Sequence, residues 1–410
     1  MRKLLSALCC LVLLAGCAAG AANTGGAEQM QSAEDAFSFS VLGERQADAR
    51  DGFKRFVWVS YLDLKDILCA DADGFRANVA EMCDRLASIG ATGVFLQVRA
   101  YGDAIYPSAL FPDAGQTVYA DYSADIDYLA VFCEQLHGRG IEVHAWINPY
   151  RLYAAQEGPY ADFIEALRAR DPLAVVDDGD SRSLNPGSET ARALILDGVR
   201  EVLDGYDVDG IHFDDYFYPT AEEAFDAHTY AAFLAGGGTM SLEDFRRASV
   251  SRLIEDVFAA VHEKGKGQTF GVSPDANIDR DYARHFANVE LWCGSGGYVD
   301  YICPQIYFGF ENESMPFSAT LARWAGVCTN CGLIAGLSFY KAGAEDPFAG
   351  TGSAEWQRNF DIIARQYAEC RAESACKGVA LYRYASLFSP PKQTATYAGL
   401  ELYNLRKEIG

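Results

Sequence analysis

The stretch DVDGIHFDDYFYP, Asp207 to Pro219, places a His, two adjacent acids and three aromatics behind a short apolar run. An unpaired charge buried at a strand end is costly, so such acids either sit in solvent on a loop or are aimed into a site. Alternation along a strand puts His212 and Asp214 on one side, with Asp215 on the turn and Tyr216 opening the next loop. Similar residues recur at the ends of other strand-like runs. Gln97 and Arg99 end one of them on a common side, and His144, Trp146 and Asn148 share a side of another, followed by Arg151. Asp275 follows GVSP, Gln305 and Tyr307 close a sixth run, Ser338 and Tyr340 a seventh, and Tyr382 or Arg383 an eighth.

This collection suits sugars. Aromatic faces stack on the C–H faces of pyranose rings, while amides, His and Arg form directional hydrogen bonds to hydroxyls. Cutting a glycosidic bond needs two carboxyls, one donating a proton and the other acting as nucleophile or base. The donor needs a raised pKa, which an apolar aromatic wall supplies. Asp214 is the first candidate for nucleophile or base, with Asp215 or Asp275 as its partner. Gln97, Arg99, His144, Trp146, Asn148, Arg151, His212, Tyr216, Gln305, Tyr307 and Tyr340 form the candidate sugar-binding set. Plain structural roles stay open for four of these residues. Trp146 could be core, His212 a satisfied interior histidine, Asp215 a loop cap, and Asp275 part of an ordinary PDAN turn.

Positioning residues at eight separate strand ends requires eight strands. Candidates span residues 55–62, 93–99, 141–148, 208–215, 269–274, 300–308, 333–340 and 378–384. Helical patterns lie between them: Phe75, Val79, Met82, Cys83, Leu86 and Ile89 share one stripe that Gly90 stops. Leu129, Phe132, Cys133 and Leu136 repeat the design, and residues 188–205, 242–265 and 355–370 behave likewise. Strand and helix in alternation mean parallel strands joined by crossovers. Eight repeats, with no Gly-rich phosphate fingerprint after any strand, predict a closed (β/α)8 barrel of the TIM type rather than an open nucleotide-binding sheet. In such barrels the site lies at the carboxyl ends of the strands, where these residues are gathered.

RFVWVSYLD, GVFLQVRAYGDAIYPSALFP, IEVHAWINPYR, DGIHFDDYFYP, FGVSP and DYICPQIYF together resemble the bacterial glycosyl-hydrolase-like family ten, over residues 53 to 385. That resemblance implies a (β/α)8 barrel on an exported or lipid-anchored protein, with peptidoglycan glycan chains as a plausible substrate. A more distant likeness runs to the α-amylase clan, whose strand-four pattern Asp-Gly-Phe-Arg-x-Asp ends in the nucleophile. Asp209, Gly210 and Asp214 match it, and His212 replaces the Arg. The clan's strand-five Glu has no counterpart, which leaves Asp275, or Glu311 and Glu313 on the loop after strand six. The segment from Tyr216 to Met240 is expected either to fold over the site as a lid or to be a plain insertion. The expected function is glycoside hydrolysis of a cell-envelope or extracellular polysaccharide, with no organic cofactor. Two rivals stay open: a metal-dependent polysaccharide deacetylase built on His144, His212, Asp214 and Asp215, and a glycan-binding lipoprotein that cuts nothing.

The beginning of the chain is read differently. Arg2 and Lys3 precede an apolar run from Leu4 to Leu14, too short to span a bilayer, that ends in LAGC. This resembles a bacterial lipoprotein signal, implying cleavage after residue 16, lipidation of Cys17 and an extracytoplasmic, membrane-anchored protein. An ordinary secretion signal with an incidental Cys is the alternative. Residues 17–52 are Ala-, Gly- and polar-rich and read as a flexible tether; residues 53–410 form the domain. The net charge of −23, or −25 without Arg2 and Lys3, repels nucleic acid and favours neutral or cationic partners. Nine cysteines remain in the domain, an odd number that cannot all pair internally. CTNC, Cys328 to Cys331, has metal-like spacing, but no second Cys or His pair lies near it in the sequence, so zinc is not expected there.

Overall fold

The computed structural model describes residues 52–410, apart from positions 156, 180, 215, 216 and 264. The expected signal, Cys17 and the tether lie outside the described residues, as do the candidates Asp215 and Tyr216. Eight parallel strands close a barrel. They are β1 (Lys54–Val59), β2 (Gly93–Arg99), β3 (Glu142–Ile147), β4 (Gly210–Phe213), β5 (Thr269–Val272), β6 (Tyr301–Ile302), β7 (Gly332–Leu337) and β8 (Cys376–Leu381). Each pairs with its neighbours in the sequence, and β1 pairs with both β2 and β8. The short β6 is extended by Gln305, whose bridges to Asp275 and Gly336 continue the wall towards the carboxyl end.

Covering both faces of the strands makes them apolar along their whole length, and all seven residues of β2 are buried. Side chains pointing in build a small aromatic interior of Phe56, Trp58, Phe95, Trp146 and Tyr301, with Cys303, Ile334 and Ala380. Those pointing out join the larger core under the helices. The helical ring comprises α1 (Ala72–Ala87), α2 (Tyr128–His137), α3 (Glu189–Gly205), α4 (Leu242–His262), α5 (Val289–Gly294), α6 (Phe317–Val327), α7 (Ile362–Ala372) and α8 (Ala395–Ile409). The α1 stripe is buried as its spacing predicts, and Gly90 leaves the helix at φ 62°, a conformation that favours glycine.

Three features were not read from the sequence. Residues 355–370 were expected as one helix. Instead Glu355–Arg358 and α7 are separate, because Glu401 on α8 accepts hydrogen bonds from the Ile362 and Ile363 amides at 3.0 and 3.1 Å and starts a new helix there. The connection from β3 to α3 contains a helix, Pro159–Arg170, and a three-stranded antiparallel sheet of Arg151–Leu152, Ser181–Leu184 and Val175–Asp178, in that order. The described part of the segment after β4 forms a 3-10 turn, Glu223–Phe225, and a helix, Ala227–Ala235. Arg246 of α4 secures it by pairing with Asp226 and donating to the Ala221 and Glu222 carbonyls at 3.1 and 2.8 Å. No helix among the described residues is long and apolar enough to cross a membrane.

Candidate active site

Asp214 follows β4 at the carboxyl end of the barrel, where its side chain is buried at the base of the mouth. The indole N–H of Trp146 donates to its Oδ2 at 3.3 Å, and the Asn148 amide donates to the same oxygen. Asn148 is positioned in turn by Gln97, whose Nε2 donates to Asn148 Oδ1 at 2.5 Å, while Gln97 Oε1 accepts the Tyr61 backbone amide at 2.7 Å. Three strands, β2, β3 and β4, thus supply one hydrogen-bonded set whose last member is a carboxylate. Two donors on one oxygen restrain the orientation of the group.

Aromatic side chains line the opposite side. Tyr307, Tyr340 and Tyr382 pack mutually with ring centroids 5.6 to 6.0 Å apart, and Trp58 lies 5.8 Å from Tyr382. Tyr340 is 44% exposed, enough to meet a ligand. Arg151 sits near Asn148 in sequence with its guanidinium 4.3 Å from the Tyr101 ring centroid, and Tyr61 packs edge-on against Tyr101. Gln305 donates to the Ser273 carbonyl at 3.2 Å. Trp58, Tyr61 and Tyr101 were not singled out from the sequence, although Phe56, Trp58 and Ser60 continue the inward alternation of β1 and would have identified the first.

Several candidates occupy other places. His144 and His212 point inward as their spacing predicts, but they lie below the mouth and are almost completely buried. Phe95 stacks on the His212 ring at 3.8 Å. Both histidines belong to a continuous polar thread through the barrel: Trp58 Nε1 donates to His212 Nε2 at 3.4 Å, and His212 Nδ1 and His144 Nδ1 contact the Tyr301 hydroxyl at 3.1 and 2.9 Å. His144 Nε2 then faces Glu142 Oε2 at 3.8 Å, and Lys54 pairs with Glu142. One assignment of hydrogens fits all three hydrogen bonds, with His212 donating from Nδ1 to the Tyr301 oxygen and the Tyr301 hydroxyl donating to His144 Nδ1. Burial, with His144 close by, pulls the His212 pKa far below its ordinary value and keeps the ring neutral, as the thread requires. These two residues are interior residues rather than sugar contacts, and their nitrogens are engaged rather than offered to a metal ion.

Arg99 is also misplaced by simple alternation. The β2–β3 register shifts between Gln97 and Arg99, and this bulge turns Arg99 outward, 3.8 Å from the Phe111 ring and packed against Gly198 of α3. Burial lowers its pKa, opposed by Tyr106. Asp275 takes the turn role: its Oδ1 accepts the Asn277 amide at 2.8 Å and its Oδ2 pairs with Arg280. Glu311 pairs with Arg358 at 2.6 Å, and Glu313 accepts the Thr351 amide at 3.1 Å. One further acid at the rim, Asp63, clamps strand ends together by binding Ser60, Arg383 and the Ala385 amide.

Several known proteins are similar to this chain. The glycosyl hydrolase DigH of Escherichia coli K12 is 29% identical over 341 residues, 76% of each chain. The glycosyl hydrolase YngK of Bacillus subtilis 168 is 27% identical over 280 residues, covering 62% of this chain and 53% of that one. In fold, the chain is similar to the glycoside hydrolase domain of PgaB from Bordetella bronchiseptica, with a TM-score of 0.56 and 16% identity over 84% of this chain and 98% of that one. The pattern of glycosyl hydrolase-like 10 matches residues 54–349, from β1 past β7, and the chain belongs to that family.

Proposed function

We propose that the protein is a glycoside hydrolase that cuts O-glycosidic bonds of a cell-envelope or extracellular polysaccharide, with peptidoglycan glycan strands as the first substrate to try. The observation that carries this reading is the Asp214 carboxylate, held by Trp146 and Asn148 at the base of an aromatic mouth. Asp214 acts as nucleophile or base. Asp215, its neighbour in sequence, is the preferred proton donor, since the Asp275 carboxylate is engaged by Asn277 and Arg280. Tyr307, Tyr340 and Tyr382 stack on the sugar, and Arg151 and Gln305 bind hydroxyls at the rim. The LAGC signal supports a lipid anchor at Cys17 and hence a substrate outside the cytoplasm.

The test is product release from purified glycan strands, with and without stem peptides, by the protein and its Asp214→Asn variant. Fragments from the wild type alone support the proposal, and their masses name the bond. If neither protein releases fragments from these strands or from an α-glucan panel, while glycan binding persists, the protein is a glycan-binding lipoprotein instead.

A further inference from the structure

CTNC has no second ligand pair near it in the sequence, but the fold brings a third thiol to it. Cys328 to Cys331 join the end of α6 to the start of β7 at the amino-terminal face of the barrel, opposite the mouth. Cys293 of α5 meets them there, and the three Sγ atoms all lie within 4.8 Å of one another. Cys293 is buried and the other two are half-buried. The loop is braced for this meeting. The Thr329 and Asn330 amides both donate to the Cys293 carbonyl, at 3.2 and 2.9 Å, and the Asn330 side chain donates to the Gly294 carbonyl. Among the described residues this is the one place where three Cys, His or acidic ligand atoms gather so closely.

We propose that Cys293, Cys328 and Cys331 form a trithiolate site for a soft d10 cation, either Zn2+ with a water completing its tetrahedron or Cu+ in a trigonal plane. Thiolates select these ions over hard cations such as Mg2+ or Ca2+. A Cys-x2-Cys loop brings two thiolates to one ion. Three sulfurs at about 2.3 Å from a tetrahedral ion stand roughly 3.8 Å apart, so closing on a metal needs movements of about an ångström or less. Binding is a ligand exchange without redox change: three S–H bonds break, three metal–sulfur bonds form, and three protons pass to solvent. The site is structural, tying α5 to the start of β7.

The full-length protein, purified under reductant, is analysed for zinc and copper, then exchanged anaerobically with Co2+ and its absorption spectrum recorded. About one equivalent of zinc or copper per chain is expected, with the ratio of the two naming the ion. A thiolate-to-cobalt charge-transfer band is expected on exchange. Cys293→Ser and Cys331→Ser abolish both signals, whereas Cys69→Ser, outside the group, retains them. If the serine variants do not fold, alkylation of native wild type reads the same point, because chelation must expose thiols at these three positions. A folded wild type without zinc or copper and with all three thiols alkylated before chelation overturns the proposal. So does a disulfide between any two of them, found by peptide mass in protein purified without reductant.

Discussion

Asp214 derives its orientation from Asn148, and Asn148 from Gln97, so the carboxylate is only as well placed as its weakest support. Asn148→Ala removes one donor from Asp214 Oδ2 and the contact that Gln97 makes. Misplacing a reacting group by an ångström costs about a hundredfold in rate. Steady-state kinetics of the variant should therefore show kcat lower by about ten- to a hundredfold with KM little changed; an unchanged kcat would remove Asn148 from the machinery. Much of this set was legible in the sequence, because strand periodicity assigns Gln97, Trp146, Asn148 and Asp214 to the inner face. Periodicity assigns a side, however, and not a depth, so His144 and His212 share that face while sitting beneath the mouth. Nor does it foresee a bulge, which is why Arg99 turned out to lie under α3.

Elements around the site are held by a few buried polar contacts. The Asp226–Arg246 pair, both side chains essentially fully buried, anchors the segment after β4 to α4, and Tyr218 donates to the same carboxylate at 3.1 Å. Removing one partner from a buried pair costs about 3–5 kcal/mol, since the other is left unpaired. Asp226→Ala is expected to lose that much in urea denaturation and to speed hydrogen exchange first in residues 217–235. Uniform destabilisation with no local change would mean the pair is not an anchor for this segment. The eight strands were visible as apolar runs between turn residues, whereas α5, α6 and α8 were not singled out. The break before α7 depends on Glu401, a contact across more than thirty positions that no local pattern records.

The molecule as a whole carries a large negative charge, so its field favours neutral or cationic glycans. Raising ionic strength should increase kcat/KM on an anionic glycan and leave a neutral one almost unaffected; equal responses would show that the field does not reach the site. The floor of the barrel has its own pH dependence. Burial alone would push the Glu142 carboxyl up, but contacts from His144 and Lys54 outweigh it and hold the pKa down at about 2. Its stabilising contribution is complete above the ordinary value of 4.5 and disappears as pH falls towards 2. Thermal melts from pH 6 to pH 2 should consequently decline less steeply in Glu142→Gln than in the wild type. The same carboxylate ends a longer row of contacts. In the thread from Trp58 through His212, Tyr301 and His144, each proton points towards Glu142, so the links form a row of dipoles with a single sense. Such a row keeps one sense, because the Trp58 indole at one end can only donate and the Glu142 carboxylate at the other can only accept. The Trp58 N–H is thereby spent on the interior, and that indole meets the mouth only through its carbon framework.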